Sequence, residues 1–257
     1  MTEILTLFPS FLLCLVRLSC FFFTAPIFSY KNMPSQYKIG LSCILAYLAA
    51  VTLHDTSLGL NDTFILLVLK EAIVGLSMGF VTGVFFFTVQ MAGSFIDLQM
   101  GLSMASVINP ESGTQTPLTG QLLYVFMLLF LFTVDAHHML INGVLDSFQA
   151  IPINKLSFGA TPGDLAQFIT QVFLSSFAAA LQMALPIVGS LFLVDVAVGI
   201  VARTVPQLNV FAISPPLKIG LGFILLIIVI PLYITFFRYL FDQTTTLFQT
   251  FQSLLRG

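Results

Sequence analysis

Apolar runs of about the length needed to cross a lipid bilayer dominate this sequence. A transmembrane helix needs roughly 20 consecutive apolar residues, and runs of this order occur at residues 4–28, 63–92, 118–134, 165–200 and 217–240. Charged residues make up only 8% of the chain, whereas soluble domains carry about 25%. Since only structures that satisfy their own backbone hydrogen bonds survive in lipid, we predict an all-α, polytopic integral membrane protein.

Several runs do not have the length of an ordinary straight span. Residues 39–53 are apolar but form a short run, whereas residues 165–200 are too long for one crossing and contain Pro186. Proline removes a backbone hydrogen bond and commonly kinks a helix. We therefore expect a bend near Pro186, and a second break in the more polar residues 199–220.

The longest interruption of the apolar pattern is the central stretch, residues 97–121. Its only charged residues are Asp97 and Glu111, and its glycines and prolines disfavour a continuous helix. Its apolar residues are crowded into the first half: Leu102, Met104, Val107 and Ile108. Non-helical backbone at membrane depth survives only where protein or a water-filled cavity surrounds it. This stretch is predicted to line or close an internal space.

A flexible loop with a few apolar side chains can exclude water when it is packed and can also move aside. Gly101, Gly113 and Gly120 are predicted to supply the mobility, and the apolar side chains the seal. A passive connector between two helical halves is the alternative.

Small residues recur along one helix face in the third apolar run. Gly75, Gly79 and Gly83, called the glycine stripe below, follow Glu71 at intervals of four residues. Such spacing lets a second helix approach closely in lipid. The stripe predicts a helix-packing face that this chain alone does not fill, with a lumen-lining face as the alternative.

Ionisable residues within or beside the apolar runs are the second unusual feature: Arg17, Lys70, Glu71, Asp195 and Arg203. A charge at membrane depth is costly unless it faces protein or water. We predict structural pairing between helices, within this chain or with partner subunits; a proton or ion relay is the alternative. Because Lys70 and Glu71 point to different helix faces, each is expected to need its own partner.

Other kinds of chemistry lack their sequence patterns. Asp135, His137 and His138 could suggest a metal, but adjacent histidines on a helix point about 100° apart, so no metal site is predicted. The sequence contains no nucleophile motif and no glycine-rich phosphate loop. With no basic run either, we predict no catalysis, no cofactor and no nucleic-acid partner.

Residues 199–218, GIVARTVPQLNVFAISPPLK, resemble the signature of the flagellar biosynthetic protein FliR family, which includes counterparts in virulence-type type III secretion systems. Four further stretches agree in order and spacing: residues 26–34, 71–79, 93–117 and 137–152. The chain departs from the family pattern in three places. Asp195 stands where the family often has Asn, Asp135-Ala-His replaces a more usual Gly-containing motif, and Met104 and Val107 replace aromatic residues.

The resemblance implies a non-enzymatic subunit of the export gate, which passes unfolded proteins through the bacterial inner membrane at the flagellar basal body. Implied partners are FliP- and FliQ-like membrane subunits in a closed spiral, and FlhA- and FlhB-like export components, together with membrane lipid. Within a single membrane domain of bent helical hairpins, residues 1–152 resemble a FliP-like portion and residues 153–257 a FliQ-like portion.

The resemblance also implies that residues 101–121, the plug loop, protrude into the pore. The residues assigned to the plug are Gly101, Leu102, Met104, Val107, Ile108, Asn109 and Pro110. From the residues alone, a secondary transporter or ion channel that uses Arg17, Lys70 and Glu71 is the competing interpretation.

Overall fold

The computed structural model describes residues 2–28, 34–53, 62–103, 117–156, 159, 161–205, 207 and 209–256. Every regular element among these residues is an α-helix. The helices are α1 (Thr2–Thr24), α2 (Ser35–Leu53), α3 (Asp62–Met100), α4 (Leu118–Thr133), α5 (Ala136–Ala150), α6 (Pro162–Thr204) and α7 (Val210–Arg256). The predicted all-α class is confirmed.

Five helices in the described part of the chain are long and apolar enough to cross a membrane: α1, α2, α3, α6 and α7. The consecutive helices α4 and α5 add a sixth candidate if the pair is counted as one broken span. The polytopic membrane character predicted from the apolar runs is therefore confirmed by helix length and composition.

Three helices run further than the sequence predicted. Helix α3 continues past residue 92 to Met100, α6 extends from Pro162 to Thr204 with Pro186 inside it, and α7 contains Pro215, Pro216 and Pro231. The bend expected near Pro186 stays a prediction. The break predicted across residues 199–220 is shorter than expected, because the helical structure is interrupted only between Thr204 and Val210. In lipid an opened turn would leave several backbone groups unsatisfied, which costs more than the one hydrogen bond lost at a proline.

The described chain divides into two compact units. The first unit contains Met1–Val84, Asp135–Val172 and Asp242–Gly257; the second contains Phe85–Val134 and Phe173–Phe241. The long helices α3, α6 and α7 each contribute one part to each unit. The boundary implied near residue 152 lies inside the first unit, so these units are not the FliP-like and FliQ-like portions, and that division stays a prediction.

In the first unit, α1 packs against α2 and against the glycine stripe of α3. A Cβ atom added to Gly75 would overlap the backbone oxygen of Arg17, and one added to Gly79 would lie 2.6 Å from Thr24 Cβ. Gly83 is buried. At Gly75 and Gly79 the neighbouring helix is thus the chain's own α1, although the sequence had suggested a surface that the chain leaves open.

Replacing Gly79 by leucine is expected to destabilise the chain itself. The new Cβ would also stand 3.1 Å from the Phe21 carbonyl oxygen, so α1 and α3 must separate, and overpacking of this kind costs about 1–3 kcal/mol. The thermal unfolding midpoint of the purified chain in detergent measures the effect. Gly189→Leu is the matched control, because no atom lies within 4 Å of a Cβ built there. Equal midpoints for Gly79→Leu and the wild type would contradict the packing.

Candidate functional site

Arg17, Lys70 and Glu71 lie together inside the first unit and form what we call the charge cluster. The side chains of Arg17 and Glu71 are fully buried, and that of Lys70 is 3% exposed. Arg17 Nε donates to Glu71 Oε2 at 2.5 Å. The ammonium of Lys70 lies 2.9 Å from Glu71 Oε1, an ion pair without hydrogen-bond geometry. One buried carboxylate is therefore shared by two cations.

Further donors of both cations are bound by α5 and the residues that follow it. Arg17 Nη1 donates to Ser147 Oγ at 2.9 Å, and Nη2 donates to the Ile151 carbonyl at 2.8 Å. Lys70 Nζ donates to the carbonyls of Pro152 at 2.6 Å and Lys155 at 2.9 Å. The three carbonyls can accept these bonds because α5 ends at Ala150, and carbonyls at and beyond a helix end have no intrahelical partner.

An aromatic ring covers the guanidinium of the cluster. Arg17 Cζ lies 4.3 Å from the centre of the Phe148 ring, within the range of a cation–π contact. Together with the hydrogen bonds, this contact joins α1, α3, α5 and the chain after α5. A buried charge that is fully paired and sealed from water acts as a structural clamp, and this geometry gives no support to an ion pathway through it.

Two details of the predicted charge set differ from the expectation. Lys70 and Glu71 form an ion pair with one another, so they do not use wholly separate partners. Arg203, predicted among the buried charges, is exposed in the last turn of α6. A cation there is favourably placed at the negative end of the helix dipole without any burial.

In the second unit, the end of α3 is closed by a glycine. Gly101 has a positive φ of 84°, and two backbone bonds accompany it: Gly101 N to Leu98 O at 3.2 Å and Leu102 N to Asp97 O at 3.0 Å. This pair of bonds is the Schellman arrangement that ends many helices, and glycine is favoured there because it lacks a Cβ. Gly101 therefore terminates α3, a role distinct from the mobility predicted for it.

The start of α4 is capped from α3. Helix α4 has no side-chain cap of its own at Pro117. The carboxylate of Asp97 instead accepts hydrogen bonds from the Thr119 backbone N–H, at 3.1 and 3.2 Å, and from the Thr119 hydroxyl. An acidic group at a helix N-terminus satisfies free N–H groups and complements the helix dipole.

The same two helices touch at a pair of glycines. A Cβ atom added to Gly93 would overlap the backbone of Gly120. Gly120 lies inside α4, which begins at Leu118, so the plug loop predicted to reach residue 121 ends at least four residues earlier. Gly120 provides close packing and not loop mobility. We call the four residues Asp97, Thr119, Gly93 and Gly120 the anchor.

The last turn of α3 is also held to α6 and α7. Asp195 Oδ2 accepts from Gln99 Nε2 at 2.8 Å, and Asp195 Oδ1 lies 2.9 Å from Lys218 Nζ. Met100 lies against Gly222, where an added Cβ would stand 2.6 Å from Met100 Cε. The aspartate that departs from the family pattern at 195 is therefore paired with a cation in this chain.

Residues 101–117, the α3–α4 connection, thus leave one end of the anchor and return to its other end. Of the assigned plug residues, Gly101 and Leu102 are both half-buried. Met104, Val107, Ile108, Asn109 and Pro110 lie outside the described residues. The two ends of the connection are thus tied to one another through Asp97 and Thr119.

Asp135, His137 and His138 come closer than the helical-spacing argument allowed. Their possible ligand atoms all lie within 4.8 Å of one another, and the two imidazole ring centres are 4.1 Å apart. Asp135 precedes α5 with a φ of 53°, and its Oδ1 lies 3.9 Å from His138 Nδ1. Asp135 and His138 are exposed, and a structural zinc site needs a fourth ligand. This grouping does not by itself indicate a metal site.

Comparison with known proteins gives a consistent family. Residues 8–244 match the family described as bacterial export proteins, family 1. The flagellar biosynthetic protein FliR of Bacillus subtilis is 44% identical over 99% of this chain and 98% of its own length. FliR of Escherichia coli is 31% identical over 89% of this chain and 87% of its own length. The Yop proteins translocation protein T of Yersinia pestis is 29% identical over 86% of this chain and 83% of its own length.

These matches cover nearly the whole chain and support a membrane component of a flagellar or type III export apparatus rather than an enzyme. The chain therefore belongs to family 1 of the bacterial export proteins, among the relatives of FliR.

Proposed function

We propose that this protein is a subunit of the export gate in the bacterial inner membrane, at the flagellar basal body. With FliP- and FliQ-like subunits it would form a plugged pore for unfolded substrate proteins, served by FlhA- and FlhB-like components. Residues 1–152 and 153–257 would take the places of one FliP-like and one FliQ-like unit. The printed names of the relatives, FliR and a Yop translocation protein, support the export role.

The observation that carries the proposal is the anchored α3–α4 connection. A plug needs a fixed base, so that it returns to the same seat, and a part that can move aside. The Asp97–Thr119 cap and the Gly93–Gly120 contact supply such a base. The helix end at Gly101 adds a defined point at which the connection departs.

The exposed surfaces of α6 and α7 support assembly with other subunits. Only 17% of the α6 span and 22% of the α7 span are buried within the chain, against 44% for the spans in α1 and α3. In α6, Gly189 and Gly199 have no atom within 4 Å of an added Cβ. In lipid, close helix contact depends on small residues, so these glycines leave room for helices of a partner.

Co-expression with FliP- and FliQ-like subunits, followed by native mass spectrometry of the purified complex, tests the proposal. We expect the wild-type chain to be recovered in a heteromeric complex. The Gly189→Leu/Gly199→Leu double variant should remain folded but lose most of that complex, because the leucines hold a partner helix away. Gly40→Leu is a matched control, since Gly40 is equally open but lies on α2. Recovery of the wild-type chain only alone or as a homo-oligomer would contradict the proposed function and favour a transporter.

A further inference from the structure

An apolar cavity of the second unit lies between α4 and α7. It is a slot of about 450 Å³ whose walls are mainly large apolar side chains. The apolar lining includes Phe126, Leu129, Phe130, Ile234 and Phe237. Phe126, Leu129 and Ile234 are also exposed on the outer surface, between 38% and 56%. The slot is therefore open at the outer surface of α4 and α7.

Three polar side chains line this otherwise apolar slot: Thr133, Tyr233 and Arg238. The Thr133 hydroxyl donates to the Leu129 carbonyl at 2.8 Å. Tyr233 is 2% exposed, and its hydroxyl has no hydrogen-bond partner within the described chain. Buried hydroxyls almost always have a partner, so this one calls for an explanation. Arg238 also lines the slot, is exposed, and forms no ion pair with the described residues.

The combination describes the ligand chemically. Apolar walls fit a hydrocarbon chain, and the unpaired guanidinium of Arg238 fits an anion such as a phosphate. The buried hydroxyl of Tyr233 can donate to an oxygen that lies between the hydrocarbon chain and the phosphate. We propose that the slot between α4 and α7 binds one anionic phospholipid, with an acyl chain along the phenylalanines and the phosphate at Arg238. Basic pockets between transmembrane helices are recognised lipid headgroup sites.

The lining favours lipid over a helix of a partner protein. Where helices of this chain approach closely, glycines meet, as at Gly93 and Gly120. The lining of the slot contains neither glycine nor alanine. Bulky rings such as Phe126 and Phe130 keep a second backbone at a distance, whereas a thin and flexible acyl chain fits between them.

Lipid titration of the purified full-length chain, followed by native mass spectrometry, tests the proposal. The probes are phosphatidylglycerol, phosphatidylcholine and diacylglycerol with the same acyl chains. We expect phosphatidylglycerol to bind about fivefold more tightly than the other two, the factor for roughly 1 kcal/mol from one basic residue. Arg238→Gln should remove this preference and leave the binding of diacylglycerol unchanged. Arg203→Gln, the same change at an exposed arginine outside the slot, should keep it.

Two further variants locate the acyl chain and the phenol. Leu129→Trp, at a 56% exposed wall position, should weaken all three lipids because it fills the slot. Tyr233→Phe should weaken all three lipids, because each has ester oxygens next to its acyl chains, without altering the unfolding midpoint, since the hydroxyl has no partner in the described chain to lose.

Three outcomes would overturn the proposal. The first is equal affinity for the three lipids, and the second is an unchanged phosphatidylglycerol preference in Arg238→Gln. The third is loss of the bound lipid when FliP- and FliQ-like subunits assemble with the chain, which would assign the slot to a protein partner. The export-gate function would survive any of these results, because it rests on recovery of the heteromeric complex.

Discussion

Replacing Arg17 or Glu71 by alanine is expected to remove most of the folded protein from the membrane. Glu71→Ala leaves two buried cations without their carboxylate, and Arg17→Ala leaves Ser147 Oγ and the Ile151 carbonyl without their donor. Removing one member of a buried ion pair costs about 3–5 kcal/mol. The total stability of a domain is typically about 5–15 kcal/mol, so either change consumes a large share of it.

The measurements are the amount of full-length chain in isolated membranes and its unfolding midpoint in detergent. Arg203→Ala is the matched control, because that arginine is exposed and outside the cluster. In a double-mutant cycle, Arg17→Met/Glu71→Met should lose less stability than the sum of its two single changes, since of the three charges only Lys70 is left without its partner. Normal assembly of Glu71→Ala with lost secretion would instead show a direct role of this carboxylate in conduction.

Deleting residues 104–113 is expected to leave assembly largely intact but to make the membrane permeable to small ions or solutes. The deletion removes Met104, Val107 and Ile108, which we assign to the seal. It spares Gly101 and the anchor, so the helix ends remain tied together. Because those ends are already close, the shorter connection can still join them at little entropic cost.

Ion conductance, or solute-dependent growth of cells that make the deleted chain with its partners, measures this effect. A Gly/Ser replacement of the same ten positions is the matched control for length, and it should leak as well if the apolar side chains form the seal. A tight membrane together with normal export in the deletion variant would leave only the passive connector.

The sequence alone determined the helical membrane class and the family. Apolar run length settles the class because lipid offers no hydrogen bonds to the backbone, which leaves helices as the structure for such runs. The signature at residues 199–218 and the matching stretches indicated the family that the comparisons then showed. Local pattern also marked Arg17, Lys70 and Glu71 as charges that could not face lipid.

Tertiary structure decided which partner each of these residues has. Arg17 reaches Ser147 across 130 positions and Glu71 across 54, and Asp97 caps Thr119 across 22. Helical periodicity reports which face of its own helix a residue occupies, but not what that face meets. For the same reason the roles of Thr119 and Lys218 could not be predicted from the sequence. The glycine stripe was predicted to remain open within this chain, whereas α1 packs against it in the folded structure.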